Sequence, residues 1–125
     1  MELPENAAIE RETAGLEGVD RLIHEPGRLS IMSLLYVVEE ADWLYLHRET
    51  GLSFGNLASH LLRLEAAGYV ESEKTFIDRK PHTVVRITPE GRRAFDAYRA
   101  RIMEVLESGQ RTKEAPRSYP VTQHQ

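Results

Sequence analysis

Cysteine is absent from the 125 residues, which excludes a disulfide scaffold, thiolate zinc centres and cysteine nucleophiles. No apolar run approaches the roughly 18 residues of a membrane span, and no basic-then-apolar leader opens the chain. A cytoplasmic protein without a membrane segment is therefore expected. Positive charge is not in excess: 16 Lys+Arg stand against 20 Asp+Glu, a formal net charge of −4, so indiscriminate polyanion binding is not expected. His24, His47, His60, His82 and His124 are scattered, with no two three or four residues apart and no thiol to complete a soft site; no metal is expected. No glycine-flanked nucleophile or metalloprotease spacing appears. Neither catalysis nor a cofactor is expected.

The hydrophobic share, 41%, suffices for one small core, which a partner subunit would help to bury. Charge is unevenly spread. Residues 1–52 carry 11 acids and 4 Lys/Arg, whereas residues 53–93 carry 7 Lys/Arg and 5 acids. A nucleic-acid surface, if present, belongs to the middle segment, although charged faces are often only solvated.

Residues 1–15 are acidic and aperiodic and read as a flexible arm. Leu16, Val19 and Ile23 have helical spacing that stops before Pro26-Gly27. A helix over 28–40 carries two apolar stripes, Leu29/Met32/Tyr36 and Ile31/Leu34/Leu35/Val38, more than one amphipathic surface helix needs. A brief strand near Trp43 precedes a helix from Tyr45 to Thr50, which Gly51 ends. Ser53 then caps a helix stapled by Leu52 and Leu57, with Leu57, Leu61 and Leu64 inward, Ala58 and Leu62 reinforcing them, and Gly68 as its left-handed stop. Val70–Phe76 and His82–Ile87 read as strands around a polar loop, Ile77–Pro81, longer than a two-residue turn. Thr88-Pro89-Glu90 restarts a helix whose Phe95, Tyr98, Ile102, Val105 and Leu106 keep helical spacing to about Ser108. Residues 16–108 thus form the domain, and 109–125 a flexible tail.

Two helices around Gly51 joined by a very short turn make a helix-turn-helix, and a hairpin follows the second. The run Gly51–Phe95 resembles the small stand-alone winged-helix regulators related to the MarR and ArsR repressors. The matching residues are Gly51-Leu52-Ser53, Gly55-Asn56-Leu57, Ser59-His60-Leu61, Leu64-Glu65, Ala67-Gly68-Tyr69-Val70 and Thr88-Pro89-Glu90-Gly91. The likeness reaches back loosely to Leu22. It implies a mainly α (α+β) winged helix-turn-helix, with a two- or three-stranded wing sheet and a long C-terminal dimerisation helix.

With Leu57, Leu61 and Leu64 inward, Ser53, Asn56, Ser59, His60 and Arg63 are expected outward, types that can contact bases or phosphates in a DNA groove. Gly55 would let the backbone approach DNA near the positive end of the helix dipole. At the wing, Arg79 and Lys80 would neutralise phosphates, with His82 and Arg86 behind them; Arg92 and Arg93 are expected to be solvated. Leu29, Met32 and Tyr36 with Phe95, Tyr98, Ile102, Val105 and Leu106 are expected to bury surplus apolar surface in a homodimer. That would space two recognition helices about 34 Å apart, one turn of duplex. The expected activity is sequence-specific binding of double-stranded DNA, acting as a repressor. Tyr36, Trp43 and Tyr98 could line a pocket for a small-molecule effector. The competing reading is a winged-helix protein-interaction module that does not bind DNA.

Overall fold

A computed structural model describes residues 16–114; the arm expected over 1–15 and the last eleven residues of the expected tail lie outside them. Contacts divide the described chain into one unit over 20–98 and another joining 16–19 to 99–114. In the larger unit, α1 (Pro26–Val38) starts with proline at the first helical position, and the Glu25 carboxylate accepts from the Arg28 N–H at 2.7 Å. Ile31, Met32 and Leu35 on α1 are fully buried. The several-sided apolarity of this helix is therefore spent largely inside one subunit, where it packs against both helices of the helix-turn-helix and against the sheet. Upstream, the periodicity of Leu16, Val19 and Ile23 does not yield a helix. The segment is a series of turns, because the Asp20 carboxylate accepts from the Leu22 and Ile23 N–H groups and so competes with helical bonding.

Strand β1 is Glu40–Asp42, just before Trp43, and α2 begins at Trp43 and runs to Thr50. Asp42 sets this boundary, its side chain accepting from the Leu44 N–H at 2.7 Å. Gly51 (φ 73°) ends α2 in the left-handed region, a conformation that glycine adopts without a Cβ penalty. Two residues later Ser53 caps α3 (Phe54–Ala66), accepting from the Asn56 N–H at 3.1 Å. Leu57, Leu61 and Leu64 are buried as expected, whereas Leu62 is exposed. The helix closes through two bonds, Gly68 N–H to Glu65 C=O and Tyr69 N–H to Leu64 C=O, both 2.9 Å, with Gly68 left-handed.

Strands β2 (Val70–Ile77) and β3 (Lys80–Ile87) pair antiparallel in unbroken register, from Val70 opposite Ile87 to Ile77 opposite Lys80. Only Asp78 and Arg79 remain between them, at φ 51° and 66°. The long loop expected over Ile77–Pro81 is thus a two-residue turn. Positive φ at both positions matches the right-handed twist of the flanking strands, and this pairing outweighs the cost of placing non-glycine residues there. The sheet order is β1-β3-β2, and β1 reaches only the Val84–Arg86 end of β3. The distal hairpin is a free two-stranded ribbon.

The last helix, α4 (Pro89–Glu114), runs past the expected end near Ser108, since a lone glycine such as Gly109 costs a helix only about 1 kcal/mol. Its start is clasped to the end of α3. The Thr88 hydroxyl donates to the Gly68 carbonyl and accepts from the Gly91 N–H at 2.9 Å, while the Thr88 N–H donates to the Tyr69 carbonyl at 3.0 Å. Gly91 lies against the Tyr69 backbone so closely that a Cβ would collide with it. The two glycine-containing motifs, some twenty residues apart in sequence, therefore form one contact. In the second unit, the Arg101 side chain donates to the Glu17 carbonyl and pairs with Glu104 at 3.1 Å.

Candidate nucleic-acid interface

The α3 cap leaves Ser53, Gly55, Asn56, Ser59 and Arg63 exposed. Asn56, Ser59 and Arg63 follow one another at three- and four-residue steps, so they share a helix face. Arg63 has no carboxylate partner among the described residues. Gly55 has open space where a Cβ would stand, so backbone there is accessible to a bulky polyanion near the helix N-terminus.

His60 departs from the outward face expected of it. Its Nδ1 lies 3.1 Å from the Arg28 guanidinium. Arginine only donates, so Nδ1 accepts and the proton resides on Nε2, which faces Glu25 Oε1 at 3.7 Å. Gly27 makes room, since a Cβ on it would stand 2.6 Å from that ring nitrogen. His60 thus fastens α3 to the start of α1. Burial pushes the Glu25 carboxyl up, but the Arg28 N–H, the electrostatic pull of the facing His60 ring and of the Arg28 guanidinium, and the Gly27 N–H outweigh it and hold the group below its ordinary value.

Two of the expected wing cations are likewise engaged. His82 Nδ1 bonds the Asp42 carboxylate. Burial raises the Asp42 carboxyl; the bond from His82 and the backbone N–H groups of Leu44 and Tyr45 then more than reverse this, leaving it below the usual carboxylate range. Arg86 lies among three acids, 3.3 Å from Glu40, 3.1 Å from Glu73 and 3.8 Å from Glu71. Bonds to Glu73 and Glu40 push its already high pKa further up. Arg86 offsets only part of the negative charge of the three acids around it and has no charge to spare for phosphate. Arg79 and Lys80 differ: both are exposed at the turn and free of carboxylate partners among the described residues.

Strand alternation explains the division. Glu71 and Glu73 with Arg86, Glu40 and Asp42 occupy one sheet face, while Val70, Ser72, Lys74 and Phe76 with Pro81, Thr83, Val85 and Ile87 occupy the other. Sequence reading passed over Lys74 and Phe76, although the period of two counted from buried Val70 places them on the core-side face. Arg92 is not simply solvated. Its guanidinium lies over the Tyr36 ring at 4.7 Å and donates to the Tyr36 carbonyl.

The expected dimer surface also divides. Met32, Phe95 and Tyr98 are buried in the subunit; Tyr36 packs on Phe95, and Phe95 on Tyr98, with ring centroids 4.9 and 6.1 Å apart. These residues build the core and cannot supply the contact expected of them. Leu29 and Tyr36 are half-buried, as are Ile102 and Val105 on distal α4, where Leu106 is 61% exposed beside Met103 at 55%. Of the three rings suggested for an effector, Trp43 stacks on Phe54, while Tyr36 and Tyr98 both pack against Phe95. Among the described residues there is no cluster of metal-ligating side chains and no helix long and apolar enough to cross a membrane.

A winged helix DNA-binding domain family matches residues 28–106, most of the described chain. The chain belongs to that family. The winged-helix protein is 40% identical over 80 residues to an uncharacterised protein of Methanocaldococcus jannaschii, spanning 64% of this chain and 84% of that one. Its fold resembles a transcriptional regulator homologue from Pyrococcus horikoshii OT3, with a TM-score of 0.69 and 29% identity over 79% of this chain and 96% of the other. It also resembles a protein assigned to the MarR family of transcriptional regulators from Enterococcus faecalis V583, with a TM-score of 0.63 and 22% identity over 91% and 96% of the two chains. Family and fold together make this a DNA-binding domain of the winged-helix class.

Proposed function

We propose that the winged-helix protein is a sequence-specific repressor that binds duplex DNA as a homodimer. On this reading α3 enters the major groove and the wing tip lies on the backbone or in the minor groove. The observation that carries it is the exposed row Asn56, Ser59 and Arg63 on a capped helix, combined with the unpartnered cations Arg79 and Lys80 at the hairpin turn. Asparagine and arginine suit bidentate readout of adenine and guanine, and the wing cations supply charge without sequence preference. His60, His82 and Arg86 act indirectly, holding α3 and the sheet in place. Two copies pair through distal α4, where Ile102, Val105 and Leu106 are joined by Met103.

A second reading, a protein-interaction module, draws on apolar side chains exposed near the same surface, with Leu62 at 69%. Gel-shift with random-sequence duplexes, followed by selection of bound sites, separates the two. A DNA regulator recovers a two-fold-symmetric sequence and sediments as a dimer. If about four to eight phosphates are neutralised per dimer, log affinity falls against log salt with a slope of about −4 to −7. Failure to shift any duplex at low ionic strength refutes the DNA reading.

A further inference from the structure

We propose that Phe76 is an apolar wedge that enters the minor groove at a base step and bends the bound duplex. This inference rests on the DNA-binding reading and deepens it. Phe76 is 74% exposed, and Ile77 beside it is 45% exposed. Single exposed apolar residues are ordinary, but here Phe76 stands opposite exposed Pro81, beside the turn Asp78-Arg79 that Lys80 follows. Lys74, two residues back on the same face, is also exposed and has no carboxylate partner among the described residues. The distal wing therefore has an apolar centre with Lys74 on the same face, Arg79 in the turn and Lys80 beside it at the strand end on the opposite face. Its opposite face carries the carboxylates of Glu71 and Glu73 toward the base, where Arg86 holds them. A polyanion is attracted to the tip and to the Phe76 face, and not to the base of the opposite face, where acids outnumber Arg86.

The occupant follows from this pattern. A protein partner for an apolar tip has no need of three cations around it, whereas a phosphate-lined groove does. The ring lies one residue pair behind the pair that flanks the turn, about 7 Å from the tip at the rise of a β-strand, similar to the roughly 7.5 Å depth of the minor groove. Two strands already stand about 4.8 Å apart. A hairpin bearing a phenyl ring does not enter a groove about 6 Å wide unless that groove opens. Wedging an apolar side chain into a base step opens it and bends the duplex toward the major groove. The lone ribbon beyond β1 leaves this end of the wing clear of the sheet's third strand.

The test measures binding and bend angle together, using the whole 125-residue chain and end-labelled duplexes selected from the random pool, with energy transfer between the ends. The wild-type complex is expected to show a bend, with flexible pyrimidine–purine steps enriched where the wing lies. Phe76→Ser is expected to lose the bend and about 5- to 150-fold in affinity, the range found for aromatic–base contacts, while keeping the salt slope. Phe76→Leu, which retains an apolar wedge, is expected to keep most of the bend. Arg79→Ala with Lys80→Ala should flatten the salt slope. If the wild type binds and the Phe76→Ser complex is equally tight and equally bent, the wedge is refuted while the DNA reading stands. If Phe76→Ser instead dissociates the protein into monomers, the tip is a contact between copies and the wedge is refuted. A wild type that shifts no duplex overturns both readings.

Discussion

Replacing Gly91 with alanine sets helix propensity against packing, and the two disagree in sign. Gly91 lies in the first turn of α4, where alanine is favoured over glycine by up to about 1 kcal/mol. The structure opposes this. A Cβ on Gly91 would overlap the Tyr69 carbonyl oxygen and stand 2.8 Å from its carbon and 2.9 Å from its Cα, where ordinary contact begins at 3.4 Å. All three atoms are backbone, so no rotamer relieves the overlap. The carbon alone requires a separation of about 0.6 Å, and the oxygen more. Opening this gap stretches the 3.0 Å bond from the Thr88 N–H to the same oxygen and strains the Thr88 hydroxyl bond to Gly68. Overpacking costs about 1–3 kcal/mol and each weakened hydrogen bond about 0.5–1.5 kcal/mol. Net destabilisation of about 2–3 kcal/mol is expected. In urea the midpoint should fall by about 1–2 M at an unchanged slope. Gly55→Ala is the control: it sits in α3 with nothing within 4 Å and should be neutral or slightly stabilising. A Gly91→Ala protein as stable as the wild type would refute the clasp between α3 and α4.

The same Gly55→Ala substitution should weaken DNA binding at every sequence, by gel-shift, because the added methyl stands where backbone meets phosphate. Arg63→Ala should cost about 1–3 kcal/mol and relax preference at one base position of the selected site. Arg79→Gly should stabilise the hairpin by about 1 kcal/mol, read by denaturation, since a non-glycine residue at φ 66° is strained; the same variant should bind DNA more weakly at low salt. The Glu25 and Asp42 carboxyls lie below their ordinary values of 4.5 and 3.8. Their contribution to stability is therefore complete above those values and lost as pH falls through the lower folded ones. Asp42→Asn should flatten the acid limb of a stability–pH curve. Tyr69 behaves in the opposite direction, with burial, then its bond to Asp20 and the charges of Asp20 and Glu90, pushing its hydroxyl up to about 12. Its contribution persists below about pH 10 and fades toward 12, and tyrosinate absorbance should show Tyr69 titrating late, with buried Tyr98 also raised.

Local chemistry was legible because it is local. Element ends are marked by local bonds, Gly51 to His47, Ser53 to Asn56, Gly68 to Glu65 and Thr88 to Gly91, so the order helix, strand, helix, turn, helix, hairpin, helix could be read from the chain. The Leu57, Leu61, Leu64 face and the exposed Asn56, Ser59, Arg63 row follow from 3.6 residues per turn. Side chains whose partners are remote were not legible. His60, His82 and Arg86 look like free cations in sequence, yet each is claimed by an acid or arginine 13 to 46 positions away. Met32, Phe95 and Tyr98 look like surplus apolar surface until the packing of α1 and α4 shows them filling the core.

By itself the sequence determined the elements, their caps and the hydrophobic faces that drive them together, because those depend on backbone geometry and spacing. Only the tertiary structure decided which polar groups remain free to meet a partner. A charge is available or consumed according to what folds against it, and in this protein folding consumes the cations at the base of the wing and leaves those at its tip.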